Sequence, residues 1–400
     1  MITNRLYIIL VFITLSVLVT AQRKVSTFYD DAKKQPKEVY FVIDHQKLGT
    51  VKHGFYTIWY ADKKLWQEGL YDYDKLDGKW VDYYDNGILK QELRYDKGLL
   101  DGTLKFYYPT GQLMQHAEYM QDKLHGVVIN YYEDGKIQET GTYKEGLLDG
   151  DFKAYYEDGR PRIMRSYKMG IEDGFSVTYF ENGNIRDRAI MKNGFCDGQF
   201  IDYYKDYANG TVNKICQYRN GRLNGKLSWF YPSGNLKYEC LYANDSIQGV
   251  VKEFYDSTVV VVRQTGPYKG NKKNGKWKSL FPNGNVYTSG KYLDDVFDGE
   301  WVINYPDGAI KQKGNFKNGK AVGEWLFYYE TGELKNKGMY VDDYKSGIWA
   351  TYYKDSKLMS EITFEKGQRN GIAKAYNQNG KLVETTYYKN GEIIPKKKRK

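Results

Sequence analysis

The chain has little of what most chemistry needs: 3 Cys, 4 His and 8 Pro in 400 residues. Each scarcity excludes something. Three cysteines, an odd number, are too few for a disulfide framework. Scarce Pro and a Gly content without a period of three exclude a collagen-like chain. There is no HExxH, CxxC or GxSxG, so no motif points to metal, redox or hydrolytic chemistry, and no cofactor is implied. Lys plus Arg number 60 against 50 Asp plus Glu, and most of them are interspersed. A nucleic-acid groove is therefore not indicated. Beyond residue 20 no apolar run approaches the roughly 20 residues of a spanning helix.

What the chain does have is Tyr and Gly, 41 of each, with 16% aromatic residues. That much aromatic content excludes disorder. Rings for ladders and glycines for turns point to many short strands.

Residues 1–21 read as a targeting segment. Arg5 precedes an apolar run from Leu6 to Val19, and Val19-Thr20-Ala21 supplies the small residues of a signal-peptidase site. The run falls short of the length that a spanning helix needs. The expectation is cleavage after Ala21 and a secreted or periplasmic mature chain.

Internal repetition dominates the rest. Glycines recur at 54, 78, 102, 126, 150, 174, 198, 225, 249, 275, 299, 323, 347 and 371. The interval is constant except after Gly198 and Gly249, where it is longer. Taking each as position 0, position +2 is apolar (Trp80, Leu104, Val128, Trp301) and +6 is Tyr or Phe (Tyr84, Tyr108, Phe180, Tyr305). Position +5 is mostly aromatic, +9 is usually Gly after Asn or Asp, +11 is aliphatic and +17 aromatic (Leu89, Tyr95). This spells a β-hairpin. Positions +2 and +6 should share one strand face, as should +11 and +17. Asn86-Gly87 and its equivalents predict a two-residue type I′ turn, and Asp77-Gly78 predicts a second turn into the next repeat. One hairpin is marginal alone, but stacked hairpins pair their edges and align their rings. Fourteen hairpins predict about 28 strands in an all-β, elongated, single-layer antiparallel sheet, twisted or curved by strand twist.

The domain reading follows: 1–21 signal peptide, 22–53 an N-terminal cap containing a strand near Glu38–Ile43, 54–394 the repeat array, and 395–400 a basic tail. Longer turns are expected near 205–212 and 256–270, where residues are inserted, and an irregular turn at Asp355-Ser356.

The unit GKWVDYYDNGILKQELRYDKGLLDG, residues 78–102, resembles the MORN repeat, and more closely the bacterial MORN-variant repeats labelled antitoxin-like. The resemblance covers residues 54–391. It implies an elongated antiparallel sheet and a scaffold that contacts proteins, or in some members anionic lipid, and it does not imply catalysis. Cell-wall glycan-binding repeats share Gly-Trp and Tyr-Tyr hairpins, but their unit is usually shorter.

Other features read as structure. The carboxylates Asp72, Asp74 and Asp77, and Asp294, Asp295 and Asp298, fit turn chemistry better than calcium. His53 and His125 occupy turn positions. Residues 270–277 approach a phosphate-binding loop, but Trp277 stands where Ser or Thr is required. Cys216 and Cys240 fall two strands apart, about 9.6 Å, too far for a disulfide.

The functional expectation is therefore a non-enzymatic scaffold, secreted or periplasmic, that binds a protein or an envelope glycan or anionic lipid surface; an antitoxin-like role is the alternative. The candidate ligand face is the +5 row: Tyr83, Tyr107, Tyr131, Tyr155, Tyr179, Tyr203, Tyr328 and Tyr352. Lys396, Lys397, Lys398, Arg399 and Lys400 form a candidate contact for an anionic surface, each contributing about 1 kcal/mol there.

Overall fold

The computed structural model describes residues 21–208 and 210–395. Residues 1–20 of the expected signal peptide and Lys396–Lys400 lie outside the described residues. The chain forms two compact units, Met1–Ile171 and Glu172–Lys400. Both are all-β, with 34 strands and no helix among the described residues.

In the first unit, Arg23–Phe28 pairs antiparallel with Pro36–His45, which pairs with Gly49–Trp59, and the ladder continues in chain order to Pro161–Lys168, the short Leu99–Leu100 and Lys123–Leu124 sharing a partner with the strand that follows each. Segment 22–53 thus continues the ladder. The same order runs on from Ile171–Tyr179, all but its first residue in the second unit, to Glu392–Ile393. The expected 28 strands become 34 for two reasons. Arg23–Phe28, Pro36–His45 and Glu392–Ile393 flank the hairpins, and three first strands are split by a bulge, as Leu99–Leu100 is from Gly102–Tyr107.

The hairpins stand, but the two turns exchange roles. At Asn86-Gly87, the Gly87 N–H donates to Tyr84 O at 2.9 Å and the Tyr84 N–H to Ile88 O at 2.8 Å. Gly87 has φ +86° while Asn86 is not left-handed. This is a type I turn closed by a left-handed Gly, a three-residue loop rather than the expected type I′. The Asn86 Oδ1 fixes it by accepting the Ile88 N–H at 2.9 Å. Type I′ geometry closes the other end, at +19 and +20: Lys97-Gly98 has φ +50° and +90°, and Asn318-Gly319 has +52° and +79°.

Asp77-Gly78 is not a turn. Gly78 lies inside the strand Lys75–Tyr83. Glu68 pairs with Val81 and Leu70 with Asp77, so Gly78, Lys79 and Trp80 bulge opposite Gly69. Position 0 needs positive φ for that bulge, reaching +137° at Gly198, where an added Cβ would also sit 3.3 Å from Ile190. Turn and bulge demand the same residue, and the sequence does not separate them.

A second register shift falls between Asp82 and Tyr83, which pair with Gln91 and Leu89. It moves +11 opposite +5, so Leu89 lines a groove with Tyr83 and does not share the face of +17. It also ends the strand at Tyr83, so +6 lies in the turn and not on the face of +2. The inserted residues near 205–212 and 256–261 lengthen the type I end only: Tyr204 N–H still closes on Thr211 O at 2.9 Å, and Tyr255 N–H on Val261 O at 3.0 Å.

The core is the face carrying +2, +15 and +17. Trp80, Leu104, Val128, Trp277, Trp325 and Trp349 are buried there. Tyr71 meets Trp80 edge-on at 5.2 Å, and Phe316 meets Trp325 at 5.2 Å. Position +15 and the +2 residue of the following repeat complement each other in size. Gly69, Gly266, Gly290, Gly314 and Gly338 lie under Trp80, Trp277, Trp301, Trp325 and Trp349, where an added Cβ would fall 2.1–2.3 Å from a ring carbon. Where +15 is larger, +2 is smaller: Ala117 beside Val128, Cys216 beside Leu227, Ile362 beside Ala373. Cys216 and Cys240 flank Leu227 as free, buried thiols, two strands apart as expected. Such reciprocity keeps the layer filled without voids or overlap.

Candidate protein-binding face

Two edge devices bind successive hairpins and leave one face free. At the type I end, the +6 tyrosine hydroxyl donates to the +5 carbonyl of the following repeat: Tyr60 to Tyr83, Tyr84 to Tyr107, Tyr305 to Tyr328 and Tyr329 to Tyr352, at 2.7–3.0 Å. Tyr29 does the same to Trp59 at 2.8 Å, so the segment before the repeats carries the same lock. Lys90 and Lys311 lie over the rings of Tyr84 and Tyr305 at 5.8 and 5.6 Å. Phe180 and Phe281 occupy +6 without a hydroxyl. At the type I′ end, turn carboxylates accept backbone N–H groups: Asp74 from Lys52, Asp122 from Leu100, Asp295 from Lys273 and Asp343 from Ala321, at 2.6–2.7 Å. Asp74 and Asp295, two of the carboxylates read as turn residues, are thus held by the backbone, whereas Asp77 lies in a strand.

The opposite face carries +1, +3, +5, +14 and +16, and it is open. Phe55, Val127, Val250 and Ile348 at +1 are exposed, the first at 70%, as are Leu241 and Met339 at +16. In the first unit a groove of about 450 Å³ is lined by Phe55, Thr57, Glu68, Val81, Tyr83 and Leu89, among others. In the second unit a groove of about 680 Å³ spans the repeats from Gly249, Gly275 and Gly299, with Val250, Thr265, Lys276, Lys278, Lys291 and Val302 in its walls.

The eight tyrosines of the +5 row fall on this face as side walls. Tyr203 is buried, with the Arg188 guanidinium 5.4 Å from its ring centre, and the other seven are half-buried. Tyr83 and Tyr107 donate to Glu68 and Glu92 at 3.3 and 3.4 Å. Burial first, and then the neighbouring carboxylate, pushes both phenols above their ordinary pKa. Exposed apolar side chains on this face stand instead at +1 and +16, which the sequence reading did not single out. Alternation with +2 and +15 is the signal that locates them. The basic tail lies outside the described residues.

Each unit thus offers a grooved face. Among the described residues, no group of three or more His, Cys, Asp or Glu is placed to hold a metal ion. No helix among them is long and apolar enough to cross a membrane, which does not bear on membrane-crossing strands.

No curated protein matches the chain. Among solved structures it is similar to the crystal structure of TcdB2-TccC3, at 11% identity over 94% of this chain and 23% of that one, with a TM-score of 0.16. It is also similar to the Tc holotoxin pore of Photorhabdus luminescens, at 11% identity over 93% and 23% of the two chains and a TM-score of 0.16. The chain spans less than a quarter of the length of these chains, and scores of that size support no inference about it. A family model described as a MORN repeat variant matches residues 76–97, 100–121, 124–145, 148–169, 223–244, 297–318, 321–342, 345–366 and 369–390. Each matched segment runs from position −2 to +19, the unit seen in the fold, and the two repeats with lengthened turns are among those outside the matches. The chain is a MORN-repeat protein.

Proposed function

We propose that this chain is an exported, non-enzymatic scaffold whose open face binds another protein. One observation carries the reading: the two faces are built differently. The side chains at +2, +15 and +17 are consumed in holding the ladder, whereas +1 and +16, polar or charged in many repeats, leave Phe55, Val127, Val250, Leu241 and Met339 exposed in others. Single exposed apolar residues are ordinary, but several gathered on one open face make a contact surface. Support for export is the Arg5, apolar-run and Ala21 pattern.

Binding distributed over repeats has a defined signature. Alanine at Tyr131 or Tyr155 changes affinity little, and removal of two adjacent repeats removes it. The test is co-sedimentation with outer-membrane vesicles, protease-treated vesicles, protein-free anionic liposomes and peptidoglycan, at low and high salt, with and without Lys396–Lys400. Binding to untreated vesicles alone is expected. Binding to protein-free liposomes that disappears with the tail contradicts the reading in favour of a lipid tether. Binding to peptidoglycan makes the ligand a glycan.

A further inference from the structure

The open face of the second unit carries one more feature. A single rung crosses it strand by strand: Lys278 pairs with Ser289, Ser289 with Val302, Val302 with Lys313, Lys313 with Leu326, and Leu326 with Lys337. At about 4.8 Å per strand, Lys313 and Lys337 stand about 10 Å apart and Lys278 about 14 Å from Lys313. Among the described residues, no ion pair or side-chain hydrogen bond holds any of the three ammonium groups. Lys313 and Lys337 are half-buried, their stems lying between Val302, Leu326 and Ala350. The three ammonium groups thus stand in line without a carboxylate partner, whereas Lys226 and Lys252 elsewhere on this face share Glu239. Lys276 and Lys278 also wall the 680 Å³ groove beside Glu300, while the third lysine of the lining, Lys291, is held by Asp298 at 3.0 Å.

Resting on the reading above, we propose that this rung is the seat of an acidic, extended polypeptide segment laid across the strands from Lys278 to Lys337. About seven extended residues at roughly 3.3 Å each cover that span. Acidic side chains meet the three lysines, and apolar ones meet Val302 and Leu326. A glycan fits less well: the ring in the groove lining, Trp277, is only 4% exposed and presents no stacking platform.

The test uses the full chain and fluorescein-labelled deca-glutamate, read by anisotropy, with a sulfated oligosaccharide of equal charge and phosphatidylglycerol vesicles as competitors. Lys278→Gln, Lys313→Gln and Lys337→Gln together should weaken peptide binding at least tenfold. The same charge change at the exposed turn-edge residues, Lys269→Gln, Lys317→Gln and Lys389→Gln, should weaken it less than twofold. Bound peptide should also protect Lys278, Lys313 and Lys337 from acetylation in the unmutated chain, a readout independent of any variant's folding. Equal losses in the two triples, no binding by the unmutated chain, or preferential competition by the sugar or vesicles overturns the assignment. The vesicle co-sedimentation result stands separately, so failure here leaves the scaffold reading to its own test.

Discussion

Gly69→Ala perturbs the core at its tightest point. An added Cβ falls 2.3 Å from Cδ2 and 2.4 Å from Cε2 of Trp80, whose side chain is 3% exposed. The ring must retreat by more than an ångström to reach ordinary contact. Overpacking of this kind costs about 1–3 kcal/mol. The retreat also strains the bond from Trp80 Nε1 to Leu70 O, 2.9 Å long, worth about 1 kcal/mol. The single variant should therefore lose about 2–4 kcal/mol. Trp80→Val alone opens a cavity and should lose a similar amount, somewhat below the roughly 3–5 kcal/mol of a full Trp truncation. The double variant recreates the Ala117 and Val128 pair that the chain already uses, both buried. Its loss should fall well short of the sum, with a coupling of at least about 1.5 kcal/mol. Urea unfolding of the full chain by far-UV circular dichroism gives the four corners of the cycle, and hydrogen exchange over residues 65–83 localises the effect. Losses that add to within about 0.5 kcal/mol would refute size reciprocity between +15 and the next +2.

Further predictions concern the edges and the rings. Tyr305→Phe removes the hydroxyl bound to Tyr328 O at 3.0 Å and should cost about 1 kcal/mol; the Phe already at 180 and 281 implies that the ladder survives it, and a loss of global folding would contradict that. Ser356 holds φ +64° where most other repeats place Gly, so Ser356→Gly should raise stability by about 0.5–1 kcal/mol, and a lower unfolding midpoint would refute the strain. Burial raises the phenol pKa at Tyr71, Tyr95, Tyr143, Tyr242, Tyr292 and Tyr340, and at Tyr218 to about 12. A folded pKa above the unfolded value near 10 means this stability is complete below pH 10 and is lost as pH rises through the folded values. Urea midpoints should therefore fall between pH 10 and 12, in step with tyrosinate absorbance. A flat profile would place these rings in water.

The repeat and its strands were legible because periodicity survives without knowledge of contacts. Fourteen glycines at a near-constant step, with rings at +2 and +17, leave no other arrangement. The turn types were not legible, because Asp77-Gly78 in a bulge and Asn86-Gly87 in a turn use the same left-handed Gly. The face of Leu89 was missed for a related reason: one unpaired residue, Lys90, reverses the alternation, and nothing local in its side chain announces it. The +15 and +2 reciprocity was legible and overlooked. Gly69 and Trp80, Gly290 and Trp301, and Gly314 and Trp325 all share one sequence separation, and it crosses the repeat boundary. The +5 tyrosines were placed on the open face by parity alone, whereas their half-burial depends on Leu89 and Glu68 or Glu92 beside them, which only the fold brings together.

Contacts between neighbouring repeats, in a constant register, hold the hairpins together. Excision of residues 321–344 tests this most directly. The cut removes one period and brings Gly314 beside Trp349 and the Tyr305 hydroxyl to the carbonyl of Tyr352, so every neighbour contact is replaced by its equivalent. The account predicts unchanged ellipticity per residue and a cooperative unfolding transition with a midpoint close to that of the full chain. A chain that loses its β signal or its cooperativity on this excision would contradict it.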